Sequence, residues 1–98
     1  MSNEHLERYE SEAELRMYQE YRDVLPLFKY AIDTERRYYL ANEVEVEEKE
    51  RNGTVFFEVL MRDAWVWDMY RPARFLKTVR VLSFRDVNVE TLEQTPRI

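Results

Sequence analysis

The chain has a single glycine, Gly53, and it follows Asn52 between two runs in which apolar and polar residues alternate. Asn-Gly is the strongest short-range signal for a hairpin turn, because both central positions of a type I′ turn need positive φ. The run before the turn alternates valine with glutamate, so one face of that strand should be buried and the other solvated. We therefore expect residues 38–49 and 54–62 to pair as antiparallel strands.

An amphipathic helix is predicted before these strands. Its apolar side chains recur at spacings of three and four residues, and they are Leu6, Tyr9, Ala13, Met17, Tyr21 and Val24. Pro26 should end the helix, because its ring removes a backbone donor and crowds the preceding turn. After Pro26 the apolar period changes to two, and a further alternating run from Val79 to Phe84 predicts another strand.

With 98 residues, the chain is long enough for one domain and no more. We predict a single α+β domain over residues 1–98. In it an acidic N-terminal helix (1–25) packs on an antiparallel sheet of four or five strands (27–87). Residues 90–98 are predicted to be a fraying terminal tail, in which one helical turn could form at 89–93.

The composition excludes several kinds of chemistry. Without cysteine, the chain cannot form disulfides, thiolate metal sites or cysteine nucleophiles. Its one histidine, His5, has neither a second metal ligand nor the spacing of a catalytic triad, and one glycine cannot form a glycine-rich phosphate loop. We expect no cofactor, no metal ion and no enzymatic activity. An enzyme that uses a pair of carboxylates is the catalytic hypothesis that stays open.

The N-terminus is acidic from its first residues, and it lacks the basic and apolar segments of a signal peptide. No apolar run approaches the roughly 18 residues that a membrane-spanning helix needs. Together with the absence of cysteine, these features predict a cytoplasmic protein that does not contact a membrane.

Charge is segregated along the chain. Residues 1–25 carry seven acids and three bases, and residues 43–50 carry five acids and one base. Residues 61–85 carry six bases and two acids. Two interpretations stay open: either the acidic and basic parts pair within the domain, or the basic part contacts a partner.

The stretch from residue 65 to residue 75 is rich in tryptophan, tyrosine and arginine, the residue types that dominate binding hot spots. Its candidate partner-binding residues are Trp65, Trp67, Tyr70, Arg71, Arg74 and Phe75. Alternatively, Trp65 and Trp67 fill the core of the domain. Because the net charge is −5, a protein partner is favoured over nucleic acid. We thus predict a non-catalytic protein-interaction module.

Binding of RNA or single-stranded DNA by the same basic and aromatic face is the alternative function. Arginines beside tyrosines can contact phosphates and stack on bases. The candidate nucleic-acid contacts are Arg36, Arg37, Tyr38, Tyr39, Lys77 and Arg80. The alternative role of Arg36 and Arg37 is ion pairing with the acidic helix. A free edge strand would also allow two copies to form a homodimer.

Several segments of the chain resemble a known family. They are Tyr9-Glu10, residues 18–23, Thr34 to Asn42, Asp63 to Phe75 and Phe84 to Val89. Together they resemble an actinobacterial family, with members about as long as this chain, that is known only as a domain of unknown function. The likeness covers nearly the whole chain, and the Asp-Ala-Trp-Val-Trp-Asp-Met-Tyr-Arg-Pro segment is its most specific part. The resemblance implies a cytoplasmic, single-domain protein and supplies no activity, cofactor or catalytic residue.

Overall fold

A computed structural model of the chain describes residues 3–92, without the side chains of residues 3–7 and 9. Within that range one helix, a short 3₁₀ turn and five strands follow each other. They are α1 (Asn3–Val24), the 3₁₀ turn (Leu25–Leu27), β1 (Tyr30–Asp33), β2 (Tyr38–Arg51), β3 (Thr54–Val66), β4 (Phe75–Ser83) and β5 (Asn88–Thr91). No helix in the described range is long and apolar enough to cross a membrane.

The helix ends at Val24, two residues before Pro26, which lies inside the 3₁₀ turn. Met17 and Val24 are buried on the predicted stripe, and Tyr21 is half-buried. Leu6 and Tyr9 lie outside the described side chains. Residues 14–16 are exposed, and the buried side chains of α1 among those described are Met17 and Val24.

All neighbouring strands are antiparallel, in the order β4-β3-β2-β1-β5. This confirms the α+β prediction, and the described residues form five strands. The central hairpin of β2 and β3 is also confirmed, with Asn52 at φ 51 and Gly53 at φ 82, as a type I′ turn requires. The two strands are longer than predicted and end at Arg51 and Val66.

The C-terminal part of the fold differs from the prediction. Residues 88–91 form β5 and pair with β1, so the tail predicted over 90–98 is wrong at its first two positions, and so is the helical turn at 89–93. All four residues of β5 are exposed, so no apolar pattern marked this strand. It forms because it satisfies backbone groups that β1 would otherwise leave unpaired at a sheet edge. Residues 93–98 lie outside the described part of the chain.

The connection between β4 and β5 forces the sheet to roll. Only residues 84–87 join Ser83 on one edge strand to Asn88 on the other. Through the strands between them, Ser83 is aligned with Glu48 of β2 and Asn88 is aligned with Tyr38 of β2. These two positions are ten residues apart along β2. In a flat sheet the two ends would therefore be about 38 Å apart. Five residue steps of extended chain reach only about 18 Å, so the sheet cannot be flat.

A change of side-chain orientation in the central hairpin accompanies this roll. Ala41 and Val44 belong to the same apolar cluster, although residues three apart in a regular strand face opposite ways. Between them, Asn42 Nδ2 donates a hydrogen bond to Asp63 Oδ2 on β3 at 2.6 Å, and Asp63 has a left-handed φ of 52. At Asn42 and Asp63, the alternation of side chains between the two faces of the sheet therefore shifts by one residue in both β2 and β3.

Rolling encloses the larger of two apolar clusters. Its buried members come from β1, β2 and β3, and they are Ile32, Tyr39, Ala41, Val59, Met61, Ala64 and Val66. Side chains of β4 and Val87 of the connection pack against them. The second cluster lies between the helical N-terminal region and the sheet, and it contains Met17, Val24, Phe28, Ala31, Leu40 and Trp65. The sheet therefore has two apolar faces, whereas the sequence predicts one.

We expect the left-handed backbone at Asp63 to make this position sensitive to side-chain shape. Asp63→Val should lower the free energy of unfolding by about 1–2 kcal/mol, because a β-branched residue is strained at positive φ. Asp63→Asn keeps a short polar side chain that tolerates this conformation, so it should stay close to the parent. Urea denaturation measures both, and equal stabilities of the two variants would contradict the assignment of strain to this residue.

Candidate functional site

The fold brings together the two segments that the sequence singles out. The loop between β3 and β4, residues 67–74, lies beside the turn between β1 and β2, residues 34–37. Trp67 N donates a hydrogen bond to Tyr38 O at 2.9 Å. A nitrogen of the Arg37 guanidinium lies 3.8 Å from an Asp68 carboxylate oxygen.

The β3–β4 loop is fixed by its own hydrogen bonds. The Asp68 side chain accepts from Tyr70 N at 3.1 Å, and its carbonyl accepts from Arg71 N at 3.2 Å. Arg71 Nε in turn donates to Ala73 O at 2.8 Å. Asp68 thus acts as the turn residue, which is a common role of aspartate because its short side chain reaches nearby amides.

Trp65 is part of the core. Its side chain is fully buried, at 0% exposure, in the cluster between α1 and the sheet. Its indole Nε1 donates a hydrogen bond to Glu20 Oε1 at 2.9 Å. Trp65 therefore has no surface for a partner, and its assignment to the partner-binding residues has to be corrected. Trp65 fills the core of the domain, as the alternative prediction states.

Trp67 is half-buried at the centre of an aromatic cluster. Its ring centre lies 4.8 Å from that of Tyr18, 5.4 Å from that of Tyr21 and 6.1 Å from that of Trp65, each in an edge-to-face arrangement. Such pairs contribute about 0.5–1.5 kcal/mol beyond the area they bury. Packing to α1 therefore holds Trp67, with part of its ring left at the surface.

An ion pair ties the end of the β3–β4 loop to α1. Arg74 Nε donates to Glu20 Oε1 at 2.8 Å, and Arg74 Nη2 donates to Glu20 Oε2, so the contact is bidentate. The hydrogen bond from Arg74 is the main reason that the pKa of Glu20 is lowered. Partial burial opposes this shift, and the Trp65 indole adds to it. Arg74 is thus engaged within the domain, as one interpretation of the segregated charges expects.

Three of the predicted partner-binding residues remain at the surface. Tyr70 is 72% exposed and Phe75 is 59% exposed, and Arg71 lies between them in sequence. In the described range, no carboxylate lies within ion-pair distance of Arg71. We call Tyr70, Arg71 and Phe75 the loop surface.

The residues predicted to contact nucleic acid do not form one surface. Tyr39 is buried inside the rolled sheet, which corrects its assignment to a base-stacking role. Arg80 Nε lies 3.3 Å from Glu58 Oε1, and Arg37 lies beside Asp68. Among the described residues, Arg36 and Lys77 are exposed without an ion pair.

Tyr38 is half-buried, and its hydroxyl forms a hydrogen bond with the Tyr21 hydroxyl at 2.8 Å. Burial is the main cause of a strongly raised pKa of the Tyr38 phenol, and the bond to Tyr21 adds to it. Tyr38 is therefore a neutral bridge between the helix and the sheet.

Sequence reasoning missed Glu20 as the anchor of the site. Glu20 precedes Trp65 by 45 residues and Arg74 by 54, and the local sequence around it is that of an ordinary solvated helix. Asp68 was also missed, although aspartate is a common turn residue and was a usable signal.

Within residues 3–92, no group of three or more histidine, aspartate and glutamate side chains is placed to hold a metal ion. At the loop surface, the Arg71 guanidinium and the rings of Tyr70 and Phe75 reach solvent.

Comparison with known proteins assigns the family. The chain belongs to the family described as "Protein of unknown function (DUF2469)", whose model matches residues 1–97. Uncharacterized proteins of Mycobacterium bovis (strain ATCC BAA-935 / AF2122/97) and Mycobacterium tuberculosis (strain ATCC 25618 / H37Rv) are each 56% identical to it. Both alignments span 94 residues, which is 96% of this chain and 93% of theirs. The resemblance to an actinobacterial family of unknown function is confirmed. No solved structure matches the chain.

We expect Glu20→Gln to lower the free energy of unfolding by about 1–2 kcal/mol at pH 7, because it removes the charge that Arg74 pairs with. The pKa of Glu20 is lower in the folded state, so its contribution is complete above the unfolded value and is lost as the pH falls through the folded one. The difference between parent and variant should thus shrink below about pH 5. Chemical denaturation across this range measures it, with Glu14→Gln on the same helix as the control. A difference that is independent of pH would contradict the ion pair.

The two tryptophans should differ in solvent access. With Trp67→Phe, the remaining Trp65 should emit at short wavelength and resist quenching by iodide, because it is fully buried. With Trp65→Phe, the remaining Trp67 should be quenched, since it is only half-buried. Steady-state fluorescence separates the cases, and equal quenching of both variants would contradict this placement.

Proposed function

We propose that the protein is a non-catalytic interaction module that binds another protein in the cytoplasm through the loop surface of Tyr70, Arg71 and Phe75. The observation that carries the proposal is the exposure of these three side chains on the β3–β4 loop and the first residue of β4, where the loop backbone is already fixed. Tyrosine, phenylalanine and arginine are enriched at interfaces because they combine large contact area with directional polar groups.

The rigidity of the loop supports this role. Arg74 is clamped to Glu20, Asp68 holds the turn, and Trp67 packs among tyrosines of the helix and sheet. A loop that is ordered before binding loses less conformational entropy when a partner docks. The internal contacts of Trp65, Trp67 and Arg74 therefore hold the exposed side chains in position for a partner.

Charge pairing favours a protein over nucleic acid as the partner. Of the four basic residues in the alternative hypothesis, Arg37 and Arg80 lie beside carboxylates of the domain itself. A phosphate chain would have to displace these acids, and the net charge of −5 would repel it. RNA or single-stranded DNA binding through Arg36 and Lys77 stays the second candidate.

Two further roles receive less support. Lys77 and Arg80 lie on the edge strand β4, and charged residues on an edge disfavour pairing with a second copy.

A catalytic carboxylate pair would need acids free to react. In the cavity lined by Asp33, Glu35 and Asp86, however, Glu35 already accepts from Phe84 N at 2.7 Å and lies 3.7 Å from Arg85.

Site-specific photo-crosslinking tests the proposed function. Benzoylphenylalanine in place of Tyr70, in the full chain expressed in an actinobacterial host, should give a defined protein adduct. The same group in place of Val55, which is 51% exposed at the far hairpin end, should not give that adduct. Arg71→Ala should reduce the adduct about tenfold, as expected for a hot-spot arginine. Arg62→Ala, which removes an exposed arginine of β3, should leave it unchanged.

Other results of the crosslinking experiment would contradict the proposal. An adduct that nuclease treatment removes would favour the nucleic-acid alternative. Identical adducts from positions 70 and 55, or no adduct at 70, would overturn the loop surface as a binding site. Circular dichroism of each variant confirms that it is folded.

A further inference from the structure

We propose that the groove between α1 and the β3–β4 loop receives an acidic segment of the protein partner. This proposal deepens the proposed function and rests on it. The groove has a volume of about 270 Å³, and it is lined by Ala13, Arg16, Met17, Glu20, Met69 and Arg74. It adjoins the loop surface, because Met69 directly precedes Tyr70 and Arg74 directly precedes Phe75.

The lining of the groove is mostly polar, and Met69 gives it an adaptable apolar patch above the buried Met17. Met17 is 2% exposed, and Met69 is half-buried against the same core cluster. Methionine is flexible and polarizable, so it adjusts to side chains of different shape and is common at peptide-binding surfaces. An apolar side chain of the partner can therefore enter between the helix and the loop.

Among the residues that line the groove, the unpaired charge is positive. Arg16 is exposed and has no ion pair among the described residues. Glu20, the one acid of the lining, accepts from Arg74 through both of its oxygens and from Trp65 through one. The Glu20 carboxylate is therefore already paired with Arg74, and the Arg16 guanidinium has no acidic partner among the described residues.

Arg74 also keeps donors for a ligand. A guanidinium has five N–H groups, of which Arg74 uses one each on Nε and Nη2 for Glu20 and one on Nη1 for Arg71 O. One N–H on each terminal nitrogen is left. The neighbouring Arg71 uses its Nε for Ala73 O, which leaves its terminal groups unused among the described residues. Carboxylates are the groups that match such donors in a protein partner.

Acidic side chains on the helix argue against a phosphate chain in the same place. Glu12 and Glu14 are exposed on the turn of α1 that carries Ala13. A nucleic acid bears a charge at every nucleotide and would meet these acids, whereas a peptide can place one or two carboxylates at Arg16 and Arg74. The occupant that fits is a peptide segment in which acids alternate with apolar residues.

Selection from a library of random dodecapeptides displayed on phage tests the proposal. Peptides retained by the folded full chain should be enriched in aspartate and glutamate and should also contain apolar residues. The most enriched peptide, labelled with fluorescein, should bind about tenfold more weakly to the Arg16→Ala variant than to the parent, by fluorescence anisotropy. Arg22→Ala removes another exposed arginine of α1, outside the groove lining, and should change the affinity less than twofold.

The proposal is overturned if no acidic peptide is enriched, or if Arg16→Ala and Arg22→Ala bind the peptide equally well. Failure of the groove can be told from failure of the interaction module by repeating the photo-crosslink at position 70 in the Arg16→Ala variant. A retained adduct means that the loop surface binds the partner without the groove. If the parent gives no adduct at position 70 either, the proposed function fails as well.

Discussion

The short connection between β4 and β5 is the constraint on which the rest of the structure depends. Residues 84–87 tie opposite edges of the sheet together, so the sheet must roll and its inner face becomes a closed core. The roll needs a one-residue shift in the side-chain alternation of β2 and β3, which Asn42 and Asp63 provide. A small domain thus buries a core mostly with one sheet, and α1 is free to cover the outer face.

The outer face then determines how the candidate site is built. Trp65 reaches from the sheet to α1, and its indole shares Glu20 with the guanidinium of Arg74. One carboxylate thereby fixes a core side chain and the end of an exposed loop together. Partial burial strengthens these charge-assisted bonds relative to an ion pair in open solvent. This contact fixes the end of the loop, and the exposed side chains have further contacts: Arg71 donates to Ala73 O, and the Phe75 ring stacks on Phe28.

Local patterns were sufficient for the parts of the fold that local physics governs. The Asn52-Gly53 turn and the helix end near Pro26 follow from allowed backbone angles and missing donors, and both could be predicted. The strand β5 could not be predicted, because its side chains are exposed and its stability comes from the backbone of β1. The segment from 65 to 75 was found by composition, but composition could not separate Trp65 from Tyr70.

The sequence by itself determined the class of the fold, the central hairpin, the absence of thiol chemistry and the region in which arginine and aromatic residues concentrate. These properties depend on residue type and on spacing over a few positions. Only the tertiary structure decided which face of each strand is enclosed, which arginines are paired and which aromatic rings reach solvent. These depend on contacts such as that between Glu20 and Arg74, whose partners are 54 residues apart and meet only after the sheet has rolled and the helix has packed on it.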